Sequence, residues 1–169
     1  MRKRISILLL LLPAVILSSC SFHKGAKEKP AIGLSYSYSG ITVSDVKLYD
    51  SYRDNPLIGK KIPYGNTLYV AVEGISKLTV ENGRVYPGCE VTVTDLNGNI
   101  ALQGKDLYPA EGYTVEESAT LYLEITMAAP VVAGETYKTT ARIYDKKNPE
   151  KGVDITIESE VAEPALQNE

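Results

Sequence analysis

Residues 121–127 read Leu-Tyr-Leu-Glu-Ile-Thr-Met, in which apolar and polar side chains alternate with a period of two. Successive side chains of a β-strand point to opposite faces of its sheet, so this period predicts a strand with one buried face. The same alternation recurs in both directions along the chain and predicts seven strands. Their predicted inward-facing residues are Val46, Leu48, Leu68, Val70, Val72, Cys89, Val91, Val93, Ile100, Leu102, Leu121, Leu123, Ile125, Met127, Tyr137, Thr139, Ala141, Ile143, Val153, Ile155 and Ile157.

Turn residues separate these strands. Asn97-Gly98 and Asn82-Gly83 are pairs that accept the positive φ of a tight hairpin turn, so each predicts two adjacent antiparallel strands. The first pair joins the third and fourth strands. Glu81 and Arg84 flank the second pair as a candidate cross-strand ion pair. Residues 145–152 predict a longer charged turn between the last two strands.

Helical signals are almost absent from the chain. Thr114 and Glu117 stand at the spacing of a capping box, which predicts a single helical turn there. The sequence therefore favours an antiparallel all-β fold, because parallel strands need long crossover connections that are usually helical.

The first strand changes phase in its middle. Ile41 and Val43 are odd-numbered, whereas Val46 and Leu48 are even-numbered. All four can face the core only if the chain has a bulge or changes sheet near Ser44-Asp45, which an edge strand tolerates best.

A more specific pattern lies in residues 130–145, where Gly134 forms a corner before Tyr137 at the start of the sixth strand. This stretch resembles the sixth strand of immunoglobulin-like domains in bacterial surface proteins, in which such a Tyr hydrogen-bonds back across the corner. The sequence lacks the Cys pair and core Trp of antibody-type domains. The resemblance implies an antiparallel, two-sheet immunoglobulin-like β-sandwich of about seven strands over residues 32–162, with Tyr137 as a structural corner.

The N-terminus has the pattern of a secretion signal. Residues 1–4 are Met-Arg-Lys-Arg, residues 5–17 are apolar with one Pro, and Ser18-Ser19-Cys20 follows. This apolar run is shorter than the roughly 20 residues that a spanning helix needs. Leu17-Ser18-Ser19-Cys20 resembles the bacterial lipobox, which implies that residues 1–19 are a cleaved signal peptide and that Cys20 is lipidated. A chance Cys after an ordinary signal peptide is the alternative.

Lipidation would anchor the chain in a membrane through the acylated Cys20. The resemblance to bacterial lipoproteins further implies that Ser21, directly after the Cys, favours the outer membrane of a Gram-negative bacterium. Residues 20–31 show no apolar periodicity and predict a flexible tether, while residues 163–169 predict a disordered tail. The whole plan resembles small, uncharacterised envelope lipoproteins of Bacteroidetes.

Charge and composition exclude several functions. The chain has 18 basic and 21 acidic residues, and three of the basic residues lie in the signal peptide, so the mature chain has 15 against 21 and a net charge of −6. Nucleic acid is therefore an unsuitable partner. One His, two Cys and no Trp leave little for a metal site or a catalytic triad, and His23 lies in the tether. We expect no enzymatic activity, cofactor or metal.

Two local features have both a structural and a functional interpretation. Cys89 shares its parity with apolar residues, which predicts a buried, unreactive thiol rather than a reactive one. Asp95-Leu96-Asn97-Gly98-Asn99 has the oxygen content of a calcium loop, but its Gly is fourth instead of sixth and position twelve is Asp106. A hairpin turn explains this segment better.

Tyrosine is the compositional anomaly, with 12 of the 13 aromatic residues. Strand parity points Tyr49, Tyr69 and Tyr122 outward, and immunoglobulin topology places their strands, the first, second and fifth, in one sheet. Tyr suits protein interfaces and stacking on sugars, so these three residues are the predicted binding patch. The alternative is that Tyr simply has a high β-propensity. The opposite sheet should carry an ordinary solvated face with Lys138, Arg142, Asp154 and Glu158.

Three functions remain open from the sequence. The first is a non-catalytic binding or structural role of a lipid-anchored envelope protein, through contacts with another envelope protein or a glycan. The second is an accessory lipoprotein that braces a membrane-spanning or secretion complex, as transthyretin-like secretion-system lipoproteins do. The third is inhibition of a secreted enzyme, for which residues 110–119 are the only candidate for a protruding loop.

Overall fold

The computed structural model describes residues 23–50 and 55–163 and is built from β-strands. The strands are β1 (Lys24–Lys29), β2 (Leu34–Ser39), β3 (Asp45–Asp50), β4 (Lys61–Pro63), β5 (Thr67–Glu73), β6 (Val80–Glu81), β7 (Arg84–Val85), β8 (Pro87–Asp95), β9 (Ile100–Gly104), β10 (Tyr113–Thr114), β11 (Thr120–Thr126), β12 (Thr136–Asp145) and β13 (Asn148–Ala162). Pro30–Ile32 and Glu117–Ala119 are short 3-10 helices. The predicted all-β sandwich is confirmed, and its seven strands correspond to β3, β5, β8, β9, β11, β12 and β13.

The larger sheet has the strand order β1-β2-β13-β12-β8-β9, with β4 added in parallel beside the end of β13. Its centre is β12, which pairs along its whole length with both β13 and β8. Tyr137, Thr139, Ala141 and Ile143 of β12 are buried, as the period of two predicts. Ile157, Ile155 and Val153 lie opposite the last three of them.

The smaller sheet has the order β11-β5-β3, which confirms that the first, second and fifth predicted strands share a sheet. Its inner face packs against the larger sheet to form one apolar core. Register places Val70 between Leu48 and Leu123, so the buried residues of the three strands lie in rows across the sheet. Every inward-facing residue that the alternation predicts is buried, apart from Ile100, which is 60% exposed, and Leu102, which is half-buried. The core also contains buried residues that the alternation did not predict, namely Leu34, Tyr36, Ile62, Ile75, Leu78, Val85, Tyr108, Val131 and Val161.

The chain changes sheet where the phase break was predicted. β2 ends in the larger sheet at Ser39, and β3 begins in the smaller sheet at Asp45. Ile41 and Val43 in the crossing segment are buried together with Val46 and Leu48. β3 is an edge strand of its sheet, so the irregular segment before it interrupts no central ladder.

A β-hairpin occupies the segment that was expected to be a flexible tether. Lys24–Lys29 pairs antiparallel with β2 over all six residues, and β2 pairs in turn with β13. Sequence periodicity misses β1 because its side chains are mostly exposed and charged, as is common in edge strands. The expected flexible tether is therefore wrong for Lys24–Lys29, which is a strand of the larger sheet. The signal peptide, Cys20 and the tail from residue 164 lie outside the described residues.

Local predictions at the turns have mixed outcomes. Asn82 and Gly83 adopt positive φ between β6 and β7, as predicted. The expected Glu81–Arg84 ion pair is wrong, because Glu81 pairs with Lys147 at 2.5 Å while Arg84 donates to backbone carbonyls of Glu111 and Gly112.

The predicted long turn over residues 145–152 is also wrong. Only Lys146 and Lys147 separate β12 from β13, because the buried Asp145 carboxylate accepts the N–H of Lys147 at 2.9 Å and closes a tight turn. The capping box is confirmed: Thr114 N–H donates to Glu117 Oε2 at 2.7 Å, and Glu117 N–H donates to Thr114 Oγ1 at 3.1 Å.

Candidate binding surfaces

The outer face of the smaller sheet carries the three predicted tyrosines. Tyr49 and Tyr69 are directly opposite each other on β3 and β5, and Tyr69 is opposite Glu124 on β11. Tyr122 lies two residues before Glu124 and is therefore a diagonal neighbour of Tyr69. Tyr122 is 38% exposed, whereas Tyr49 and Tyr69 are half-buried. We call these three residues the tyrosine face.

Charged groups frame the tyrosine face. Lys47 and Tyr122 flank Ala71 in register, and their long side chains leave this alanine 1% exposed on the outer side of the sheet. Lys47 Nζ pairs with Glu73 Oε2 at 2.7 Å, and this bond raises the pKa of Lys47. The result is an aromatic surface with an ionic border.

A groove of about 470 Å³ runs along β11 at the other border of the tyrosine face. One wall is β11 itself, from Thr120 to Glu124, and the other is the segment after β9, with Leu107, Tyr108 and Tyr113. Tyr108 and Tyr113 meet edge to face, with ring centroids 5.8 Å apart. Tyr122 borders both the groove and the tyrosine face, so the two surfaces are continuous.

The groove was not predicted from the sequence. Tyr108 lies in an irregular segment and Tyr113 in the two-residue strand β10, and neither stretch has enough regular structure for a periodicity to tell an inward side chain from an outward one. Their burial arises from the segment itself, which Leu107 N–H joins to Cys89 O at 3.2 Å. Pro109 and Gly112, which bracket a backbone turn, are the only local signal of this path.

Cys89 lies in the core behind the groove. Its side chain is fully buried, and desolvation raises the pKa of the thiol to about 11. The hydroxyl of Tyr108 is next to this thiol, and burial also raises the pKa of Tyr108. That hydroxyl has no well-aligned hydrogen-bond partner among the described residues. The thiol is thus held in its protonated, poorly nucleophilic form at neutral pH.

Tyr137 has the geometry of a tyrosine corner. The residue is buried at the start of β12, and its hydroxyl accepts a hydrogen bond from the N–H of Val132 at 2.9 Å. This bond joins the loop between β11 and β12 to the start of β12. Its role in the structure is to hold that loop against the larger sheet.

The segment from Asp95 to Asn99 forms a hairpin turn. Asp95 Oδ1 accepts the N–H groups of Asn97 and Asn99, each at 2.8 Å, and Oδ2 accepts Asn99 Nδ2 at 2.7 Å. The side-chain bond from Asn99 lowers the pKa of Asp95, and the backbone bonds add to this effect. Both carboxylate oxygens are therefore engaged by the turn that they stabilise.

The outer face of the larger sheet is a solvated polar surface. Lys138 is opposite Glu158, and Arg142 is opposite Asp154, on β12 and β13. Arg142 Nη1 pairs with Asp154 Oδ1 at 2.7 Å, and Glu158 accepts from Lys60 at 3.1 Å. This face matches the prediction for the side opposite the tyrosines.

Two further properties of the described residues bear on chemistry. Within residues 23–50 and 55–163, no helix is long and apolar enough to cross a membrane. The same residues contain no group of three or more His, Cys, Asp or Glu side chains arranged to hold a metal ion. His23 instead contacts Lys77, whose Nζ lies 2.7 Å from His23 Nε2.

The fold defines the class of this chain as an all-β sandwich, whose strands pair antiparallel apart from β4 with β13. No family model and no curated protein matches the sequence. Among solved structures, the crystal structure of chicken MD-1 complexed with lipid IVa matches with 14% sequence identity and a TM-score of 0.33, and it covers 82% of this chain and 98% of that chain. At this TM-score the likeness has no functional implication for the present protein.

Proposed function

We propose that the chain is a lipid-anchored protein of the bacterial cell envelope with a non-catalytic binding role, in which the tyrosine face contacts an envelope protein or a glycan. The observation that supports this proposal is the cross-strand alignment of Tyr49 with Tyr69, with Tyr122 beside them. A rigid sheet holds these side chains, so little conformational entropy is lost when a partner covers them. The continuous groove along β11 enlarges the available contact area.

The anchor in this proposal is Cys20, and it rests on the lipobox pattern of residues 17–20. Several acyl chains, at about 0.8 kcal/mol for each buried methylene, hold a protein on a bilayer without a spanning helix. We expect mass spectrometry to find acyl groups on Cys20 and fractionation to find the protein in the outer membrane. Cys20→Ala should be unacylated and absent from the membrane fraction. Wild-type protein without acyl mass would exclude the anchor.

Binding is tested by a triple change of Tyr49, Tyr69 and Tyr122 to Ser, with a matched triple change of Lys138, Asp154 and Glu158 to Ser on the opposite face. Both sets replace outward-facing side chains and should leave the circular dichroism spectrum unchanged. We expect that cross-linking in cells, or capture on an array of envelope glycans, is lost only in the tyrosine variant. A folded tyrosine variant that still captures the same partner would exclude this face as the binding site.

The inhibitor alternative finds no support in the segment that motivated it. Residues 110–119 do not form a free loop, because Tyr113–Thr114 pairs with β7 and Ser118 is buried. Arg84 also donates to the carbonyls of Glu111 and Gly112, at 2.8 and 2.7 Å. The segment is therefore held against the body of the domain.

A further inference from the structure

We propose that the end of the sandwich at which β1 begins lies against the membrane surface and binds anionic lipid headgroups, with Lys77 and Lys151 as the main contacts around the exposed Val80. We call the surface formed by His23, Lys24, Lys77, Val80 and Lys151 the basic end. This inference rests on the proposed anchor at Cys20 and adds the orientation of the domain and the chemistry of its second membrane contact.

The first argument is the length of chain between the anchor and the fold. Four residue steps separate Cys20 from Lys24, where β1 begins, and they span at most about 14 Å. The carbonyl of His23 already accepts the N–H of Gly40 at 2.8 Å. The length of the sandwich along its strands is larger, since the ten residues of β12 extend about 33 Å. An anchor with this reach keeps the basic end near the bilayer and the opposite end away from it.

The second argument is that separate elements bring cations together at this end. Lys77 belongs to the turn after β5, and its Nζ lies 2.7 Å from His23 Nε2. Lys151 belongs to β13, and its Nζ donates to Lys77 O at 3.1 Å and to Thr79 Oγ1 at 3.4 Å. His23, the segment that contains Lys77, and β13 at Lys151 thus form one continuous surface beside the start of β1.

The third argument is the charge balance of that surface. Among the described residues, neither Lys77 nor Lys151 forms an ion pair with a carboxylate. Lys77 contacts the His23 ring, and Lys151 contacts a backbone carbonyl and a hydroxyl. Asp145, the carboxylate beneath them, is buried and accepts the N–H groups of Thr79 and Lys147.

At the opposite end, two of the lysines are paired with carboxylates. There Lys60 and Lys61 pair with Glu158 and Glu160 at 3.1 and 3.0 Å. Within the described part of the chain, Lys77 and Lys151 are therefore cations without a carboxylate partner at the end nearest the anchor, although the whole chain is acidic.

An exposed apolar side chain completes the surface. Val80 is 53% exposed in β6, directly after the turn that contains Lys77. Apolar and cationic side chains on one surface match the interface of an anionic bilayer, where headgroup phosphates meet the acyl region. A surface lysine near such a membrane contributes about 1 kcal/mol, and this contribution decreases as salt screens it.

The test uses the full acylated protein in vesicles of phosphatidylcholine, with or without one part in four of phosphatidylglycerol. A nitroxide is attached at Val80→Cys, and in a matched protein at Leu96→Cys, an exposed apolar position of the β8–β9 turn at the opposite end. Cys89 is buried and Cys20 is acylated in the proposal, so each protein takes one label. Accessibility to a water-soluble nickel complex is then measured.

We expect anionic vesicles to shield position 80 and to leave position 96 accessible. Lys77→Gln combined with Lys151→Gln should lower the equilibrium constant for apposition of the domain by about 30-fold, whereas Lys60→Gln combined with Lys61→Gln should not change it. High salt should expose position 80 of the unchanged protein, which gives an independent measurement if the double variant is unstable.

Two negative results have different meanings. If the acylated protein floats with the vesicles while positions 80 and 96 remain equally accessible, the inference is wrong and the anchor stands. If the wild-type protein carries no acyl group and does not float, the proposed anchor fails and the inference fails with it.

Discussion

The two long sides of the sandwich are closed in different ways. On the side of β3, the β1–β2 hairpin reaches from the larger sheet to the smaller one through polar bonds. Lys29 Nζ donates to both oxygens of Asp45, at 2.7 and 2.9 Å, and to Val46 O at 2.8 Å. Tyr36 Oη donates to the same carboxylate at 3.1 Å. On the side of β11, an irregular segment packs by apolar contact and leaves the groove.

The electrostatics of the two sides differ accordingly. Desolvation by burial raises the pKa of Asp45, but the hydrogen bonds from Lys29 and Tyr36 outweigh it and hold that pKa below its ordinary value. Burial and the bond to Asp45 raise the pKa of Tyr36 to about 12. Tyr108 on the other side has no comparable partner. Directional hydrogen bonds therefore fix the position of the hairpin on the β3 side. On the β11 side, apolar contacts leave the packed segment freer to shift.

The largest effect should come from the turn of the hairpin. Gly33 has a φ of 66°, and a Cβ there would lie 2.1 Å from Glu158 O of the neighbouring β13. Gly33→Ala should lower the free energy of unfolding by about 3 kcal/mol, through backbone strain and a clash with a main-chain atom. Denaturant unfolding measures this.

Gly98→Ala is the matched control, because Gly98 has a φ of 87° with open space around it. Its cost should be about 1 kcal/mol, from conformation alone. Equal costs at the two positions would show that the hairpin does not press against β13.

An intermediate effect should come from the ion pair that joins the two sheets. Lys29→Met should cost about 2 kcal/mol at neutral pH, because it leaves a partly buried carboxylate with one fewer donor. The exposed Lys60–Glu158 pair is the control, and Lys60→Met should cost less than about 0.5 kcal/mol.

The cost of Lys29→Met should depend on pH. The folded-state pKa of Asp45 is lowered, so its stabilising contribution is present above the unfolded pKa and is lost as pH falls through the folded one. The difference between wild type and Lys29→Met should therefore shrink in acid. A difference that stays constant as the pH falls would assign the effect to packing of the lysine stem.

The smallest effect on stability should come from removing a single tyrosine hydroxyl on either side of the sandwich. Tyr36→Phe removes a donor to a carboxylate and should cost about 1 kcal/mol, whereas Tyr108→Phe removes a buried hydroxyl without an aligned partner and should leave stability unchanged or slightly raised. Thermal unfolding of both variants tests the contrast. A destabilised Tyr108→Phe would mean that the hydroxyl and the Cys89 thiol form a stabilising bond.

Alternation of side chains predicted the seven strands β3, β5, β8, β9, β11, β12 and β13, but it missed β2, in which buried Leu34 and Tyr36 alternate with serines. It placed Leu121 and Leu123 in the core and Tyr122 outside it, and Gly98 located a hairpin turn. These features are local, because the pleat and positive φ depend only on a residue and its near neighbours. The tyrosine face also followed from parity, once the three strands were assigned to one sheet.

Tertiary structure alone decided how the sides of the sandwich are closed. Lys24–Lys29 has no apolar period, so only pairing with β2 and the bond from Lys29 to Asp45 give it order. The groove beside β11 and the contact of Lys151 with Lys77 likewise join residues far apart in the chain. Such contacts depend on the relative position of two sheets, which is set by packing of the whole core and leaves no periodic trace in the sequence.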